Sequence, residues 1–209
     1  MTKIKICGLT RSRDIACVNE YKPDYVGFVF FEKSSRYVSP DQAVQLKLQL
    51  DSSIPVAGVF LDNDISMVRQ LADAHVIDLI QLHGETMGET FIKELRAVTD
   101  LPVIRAFCIR EPEDIRRAAQ SSADYILLDS GAGGTGQTFD WSLIQELGRP
   151  YFLAGGLTPE NVAEAVQQLY PYAVDVSSGV ETEGVKDAEK IRSFLEAVRQ
   201  ADGCNGRRR

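Results

Sequence analysis

Lys-Ile-Lys-Ile-Cys-Gly at residues 3–8 alternates apolar and polar side chains and then breaks at a glycine, the pattern of a short strand that ends on a thiol, Cys7. Ala-Asp-Tyr-Ile-Leu-Leu-Asp-Ser at 123–130 ends in the same way on a carboxyl, Asp129. In a parallel α/β protein the C-terminal tips of the strands open into the ligand crevice, so both side chains stand where chemistry is done. Together they read as a matched base and acid.

Outward from these two runs, short apolar stretches bounded by turn residues alternate with longer amphipathic segments along the whole chain. Strands are predicted at 3–7, 24–30, 54–61, 78–82, 101–107, 124–129, 151–154 and 173–177, and helices at 11–20, 40–50, 64–75, 87–99, 111–120, 142–147, 159–169 and 187–200. Ser39, Asp64, Glu111 and Thr158 are the predicted caps, three of them followed by proline, which loses no hydrogen bond at the first helical position. Eight strand–helix units predict a single-domain α/β (β/α)8 barrel over residues 1–200, with a doubly wound open sheet as the alternative. Residues 201–209, which contain Cys204 and end in three arginines, read as a flexible tail.

Closure has a consequence for the first strand. If Ile4 and Ile6 pack outward on the helices, Lys5 and Cys7 face the interior, and Asp175 and Ser177 do likewise on the last strand, which a closed barrel places next to the first. A buried Lys5 needs a carboxylate, and Asp175 is the best placed.

The composition is that of an ordinary soluble chain, 44% hydrophobic and 25% charged, and no run approaches the ~18 apolar residues that span a bilayer. No secretory leader is evident at the start, which makes the cytoplasm the expected compartment and disfavours a membrane partner. A net charge of −7 repels nucleic acid. The four cysteines form no Cys-x-x-Cys pair and stand near no histidine at ligand spacing, which argues against a metal site. A small phosphorylated molecule is the expected partner, and a monomer or weak homodimer the expected assembly.

Two glycine-containing turns carry the phosphate reading. Gly155 and Gly156 follow the seventh strand, and Ser177, Ser178 and Gly179 follow the eighth. Glycine lets backbone amides approach an anion, and barrels often hold phosphate between these last two loops. The loop 131–136 after Asp129 would form part of the rim. Arg36 could fork a substrate carboxylate or stand in solvent, and His83, at the tip of the fourth strand, reads as catalytic or as structural. Cys7 taken alone fits a small buried hydrophobe as well as a base, and Asp129 fits a loop cap as well as an acid. Arg105 is left unassigned, and His75 and Trp141 read as structural.

Several strings then converge on one family. Lys-Ile-Cys-Gly-Leu-Thr at 5–10, Ser-Arg-Tyr-Val-Ser-Pro at 35–40, Gln-Leu-His-Gly at 81–84, Leu-Leu-Asp-Ser at 127–130, Gly-Gly-Thr-Gly-Gln-Thr-Phe-Asp-Trp at 133–141, Leu-Ala-Gly-Gly-Leu-Thr-Pro-Glu-Asn-Val at 153–162 and Asp-Val-Ser-Ser-Gly-Val-Glu at 175–181 resemble phosphoribosylanthranilate isomerase. The resemblance runs in consistent order from residue 3 to about 195. It implies a (β/α)8 enzyme of tryptophan biosynthesis that needs no cofactor. Cys7 matches the family's general base, Asp129 its general acid, Arg36 the holder of the anthranilate carboxylate, and the turns 155–156 and 177–179 the phosphate grip. Asp175 and His83 are carried as substrate-binding residues. One departure is Gln137, where lysine is common among relatives. A phosphate grip alone does not separate this reading from another sugar-phosphate barrel, whereas a carboxylate clamp beside a thiol favours it. The chemistry asks Asp129 to hold its proton when it acts and asks Cys7 for a lowered pKa.

Overall fold

The structure is a computed structural model that describes residues 1–205 apart from 63, 85, 131–139 and 145–146, and leaves out the side chains of 204 and 205. The loop 131–136, Gln137, the side chain of Cys204 and the terminal arginines lie outside the described residues. Eight parallel strands close into a barrel in chain order: β1 Lys3–Cys7, β2 Tyr25–Val29, β3 Val56–Leu61, β4 Leu79–His83, β5 Val103–Cys108, β6 Tyr125–Asp129, β7 Tyr151–Leu153 and β8 Ala173–Val176. β8 pairs back onto β1, with Lys5 opposite Asp175. Strands this rich in Val, Ile, Leu and Phe suit a sheet covered on both faces.

The helices are α1 Ser12–Tyr21, α2 Pro40–Gln49, α3 Ile65–Asp73, α4 Glu89–Leu95, α5 Pro112–Ala119, α6 Val162–Leu169 and α7 Ala188–Asn205. Ser39 caps α2 by accepting from the Gln42 amide, and Asp64 caps α3 by accepting from Ser66. Four expectations shift. The helix expected at 142–147 is, where described, one 3-10 turn, Trp141–Leu143, opened by Asp140, which accepts from the Ser142 amide. α4 starts at 89 rather than 87 because Gly88 takes the cap position. Thr158 does not cap α6: the Asn161 carboxamide accepts from the Thr158 amide and donates to the Gly156 carbonyl, tying 156–161 into a turn, and the helix starts after it. Finally, residues 201–205 are helical. α7 runs on to Asn205, Ala201 is buried, and Asp202 accepts from the amide and hydroxyl of Thr2.

The core forms two layers. Ile4, Ile6, Val26, Phe28, Ile80, Leu82, Ile126, Leu128, Val174 and Val176 point outward into one continuous apolar layer beneath the helices. The alternate residues Ala57, Leu79, Ile104, Leu127, Phe152 and Ala173 fill the lower barrel interior, with Tyr25, Tyr125 and Tyr172 packed against them. Above that plug the interior turns polar, and the candidate site begins there. Arg105, left unassigned above, points away from the interior: it pairs with Glu89 at 3.0 Å and lies over the Phe107 ring.

Candidate active site

Lys5 is fully buried, and its ammonium donates to Asp175 Oδ2 at 2.9 Å, the pair anticipated from closure of the barrel. Burial disfavours the ammonium, but Asp175 and the Cys7 sulfur beside it outweigh that and hold the Lys5 pKa above its usual value. One register step further along β1, Cys7 faces Gly27 of β2. A Cβ on Gly27 would stand 2.7 Å from the Cys7 sulfur and 3.3 Å from Lys5 Nζ, so any side chain there would displace the thiol.

The thiol itself corrects one expectation. Burial pushes the Cys7 pKa up, with Asp175 adding to it, and Lys5 and Lys186 only partly offset that rise. The surroundings of Cys7 thus raise its pKa where the sequence reading asked for a lowered one.

Cys7, Arg36, Gln81, His83, Asp129 and Asp175 line one cavity of about 430 Å³, together with Gly155, Gly156, Ser177, Ser178 and Gly179. Every residue singled out from the sequence as a site candidate thus meets at one barrel mouth. The two glycine turns lie against each other: a Cβ on Gly179 would overlap the Leu157 carbonyl oxygen at 1.9 Å, and one on Gly155 would press Asp129 Oδ1 at 2.6 Å. Gly155 and Gly156 have φ of +81° and +67°, a region that excludes most side chains. The Ser177 hydroxyl donates to the Cys7 carbonyl at 3.1 Å, which joins the β8 turn to the tip of β1. The result is a polar, glycine-lined recess beside a thiol and a carboxyl.

Arg36 carries a second finding. Its Nε and one terminal nitrogen each donate to Glu181 at 2.7 Å, a fork on one edge of the guanidinium. Among the described residues the other edge has no hydrogen-bond partner, and a guanidinium can take a second bidentate partner there. Glu181 also pairs with the buried Lys186, which donates to the Ser177 carbonyl at 3.0 Å. Both residues belong to a two-stranded hairpin, β9 Glu181–Thr182 and β10 Val185–Lys186, turned by Glu183 and Gly184 at positive φ. Sequence reasoning gave Glu181 and Lys186 no role. The one sequence trace of the hairpin is Gly184, too weak a signal without Asn or Asp before it.

The family model described as N-(5'phosphoribosyl)anthranilate isomerase matches residues 4–197. The N-(5'-phosphoribosyl)anthranilate isomerase of Endomicrobium trichonymphae is 44% identical over 203 residues, covering 95% of this chain and 99% of that protein. Among solved structures, the phosphoribosyl anthranilate isomerase of Thermotoga maritima superposes with a TM-score of 0.87 at 37% identity, covering 96% of this chain and all of that one. Another, solved in complex with reduced 1-(o-carboxyphenylamino)-1-deoxyribulose 5-phosphate, gives 0.85 at 36% identity over 96% of this chain and all of that one. The agreement extends over the entire barrel and not over one motif, and the chain belongs to the phosphoribosylanthranilate isomerase family, isomerases of tryptophan biosynthesis.

Proposed function

We propose that the chain converts N-(5-phosphoribosyl)anthranilate to 1-(2-carboxyphenylamino)-1-deoxyribulose 5-phosphate by an Amadori rearrangement, with Asp129 as general acid and Cys7 as general base. The observation that carries the reading is the shared cavity: a thiol from β1 and a carboxyl from β6 wall one pocket with Arg36 and two apposed glycine turns.

Asp129 gives its proton to the furanose ring oxygen as the C1–O bond breaks, and the anilino nitrogen supplies the electron pair that makes C1 an iminium. Cys7 as thiolate then takes the C2 proton, the C2–H electrons move into the C1–C2 bond, and the iminium is neutralised to an enamine. The enamine's C2 hydroxyl releases a proton and C1 gains one, leaving the ketone, so the product is an isomer of the substrate. The raised pKa of Cys7 makes its thiolate scarce but strongly basic, and Lys5 and Lys186 favour the ionised form against the effect of burial. The 155–156 and 177–179 turns, which line the cavity, suit the phosphate, and the second edge of Arg36 suits the anthranilate carboxylate.

The test is turnover. Adding the protein to phosphoribosylanthranilate is expected to extinguish the substrate's fluorescence in a time-dependent, catalytic manner. Saturable binding without conversion would contradict the proposal.

A further inference from the structure

Gln81 stands on β4 two residues before His83, so the two side chains share the interior face of the barrel. Gln81 Nε2 and His83 Nε2 lie 2.7 Å apart. Gln81 is 1% exposed, and its Oε1 is buried with no hydrogen-bond partner among the described residues. Buried polar groups are nearly always paired, so a carboxamide here calls for a reason. The reaction above gives it none.

We infer that Gln81 is a positioning residue whose amide donates to His83 Nε2, fixing the imidazole as the Nδ1–H tautomer and leaving it one hydrogen-bond donor for an oxygen of the substrate. A neutral imidazole has one donor and one acceptor nitrogen, and the partner of one nitrogen decides the role of the other. The reversed amide would accept from Nε2–H but would leave both N–H donors unpaired, where the assigned one leaves one N–H and the carbonyl oxygen, and an orphaned donor is the rarer of the two. Burial lowers the His83 pKa and Lys5 acts in the same direction, together outweighing Asp129 and Asp175, which favours the neutral ring. His83 lines the pocket of Cys7 and Asp129 and also a crevice of about 640 Å³ bounded by β5, α4 and α5, so the ring belongs to the wall between the two. A ring free to exchange tautomers would offer an acceptor as readily as a donor. The inference rests on the sugar-phosphate reading of the pocket for its catalytic consequence, but not for the tautomer itself.

The chain has two histidines, and His75 is exposed, so the imidazole nitrogens of the whole protein can be assigned by long-range proton–nitrogen NMR correlation. In the ligand-free protein His83 is expected to show a protonated Nδ1 and a bare Nε2 at neutral pH. Gln81→Glu, whose carboxylate only accepts, is expected to move a proton onto Nε2 and to lower kcat/KM by about 10-fold, the scale of one hydrogen bond. Gln81→Met, close in shape and free of charge, is expected to leave a mixture of tautomers and a similar loss. A wild-type His83 protonated on Nε2 overturns the inference, whatever the turnover. So does unchanged kcat/KM in a folded Gln81→Glu protein whose tautomer has changed. The expected wild-type spectrum in a protein that fails to convert phosphoribosylanthranilate supports the tautomer and counts against the proposed reaction alone.

Discussion

The two ends of the barrel solve different problems with the same residue types. At the floor, Asp24, Asp78 and Asp124 each stand just before an even-numbered strand and accept the amide of the neighbouring odd strand at its start: Ile4, Val56 and Val103, at 3.0, 2.8 and 2.7 Å. Each carboxylate also meets a cation, Lys3 and Arg199 for Asp24, Lys47 for Asp78 and Arg96 for Asp124. Between them Tyr25, Tyr125, Phe152 and Tyr172 pack into a plug, Tyr125 stacked on Tyr172 and the other pairs tilted or edge-on. At the mouth Asp14 and Asp114 repeat a loop staple, each accepting two successive amides, but among the described residues the pairs beside the cavity are not repeated. Lys5–Asp175 and Arg36–Glu181–Lys186 are single devices, each aimed at one cavity. The repeated staples hold strand ends together, whereas the unrepeated pairs set the charge and direction of groups that face a ligand.

That contrast breaks most visibly at the mouth. Cys7→Ser or Asp129→Asn is expected to lower turnover by about 10² to 10⁴-fold, the usual contribution of a general base or acid, with the melting temperature nearly unchanged. Steady-state kinetics beside a thermal melt checks both halves, and a variant that keeps nearly full activity removes the residue from its proposed role.

Lys5 is where the contrast blurs, since its ammonium lies beside the proposed base and yet is fully buried. Lys5→Met leaves Asp175 charged and unpaired in the interior, which is expected to cost about 3–5 kcal/mol in denaturant unfolding. Combining it with Asp175→Leu is expected to recover most of that stability and none of the activity. A double variant as unstable as the single one would show that the pair also does structural work of its own.

The floor gives the reverse. Asp24→Ala strands the Ile4 amide and two cations, at an expected cost of about 1–3 kcal/mol, with kcat unchanged. Burial alone would raise the Asp24 carboxyl, but Lys3, the Ile4 amide and Arg199 outweigh it and hold its pKa below the ordinary 3.8. Asp124 behaves alike, through Val103 and Arg96. A depressed carboxylate stabilises the fold above its unfolded pKa, and that contribution disappears as pH falls through the lower folded value. Acid unfolding of the wild type is therefore expected to steepen below about pH 3.8 and to be shallower in Asp24→Ala.

Much of this was readable in the sequence, for reasons specific to particular residues. Ile4 and Ile6 alternate with Lys5 and Cys7, and period two puts the polar pair inside once the barrel closes; closure also makes β1 and β8 neighbours, which is why Asp175 could be named for Lys5. The hairpin bearing Glu181 and Lys186 was not readable, because strands of two residues show no alternation and Glu183-Gly184 lacks the Asn or Asp that usually marks such a turn. Gln81 hid inside an apolar strand. The direction of the Cys7 pKa is a balance of burial against nearby ammonium groups, and such a balance depends on distances that only the folded chain supplies.

The smallest effect tests whether Glu181 acts through Arg36 as the floor staples act through backbone amides. Glu181→Gln keeps the shape of the fork but removes its charge, so Arg36 is expected to wander and KM for phosphoribosylanthranilate to rise about 10-fold, with kcat little changed. The wild type should reach the same condition in acid. Burial alone would raise the Glu181 carboxyl, but Arg36 and Lys186 outweigh it and hold its pKa below the ordinary 4.5, so the fork persists above that pH and opens as pH falls through the lower folded value. Wild-type KM is thus expected to climb only below about pH 4.5, and the Glu181→Gln value to lack that rise. A KM that climbs equally in both would place the acid-sensitive group elsewhere at the mouth and reduce the hairpin to packing.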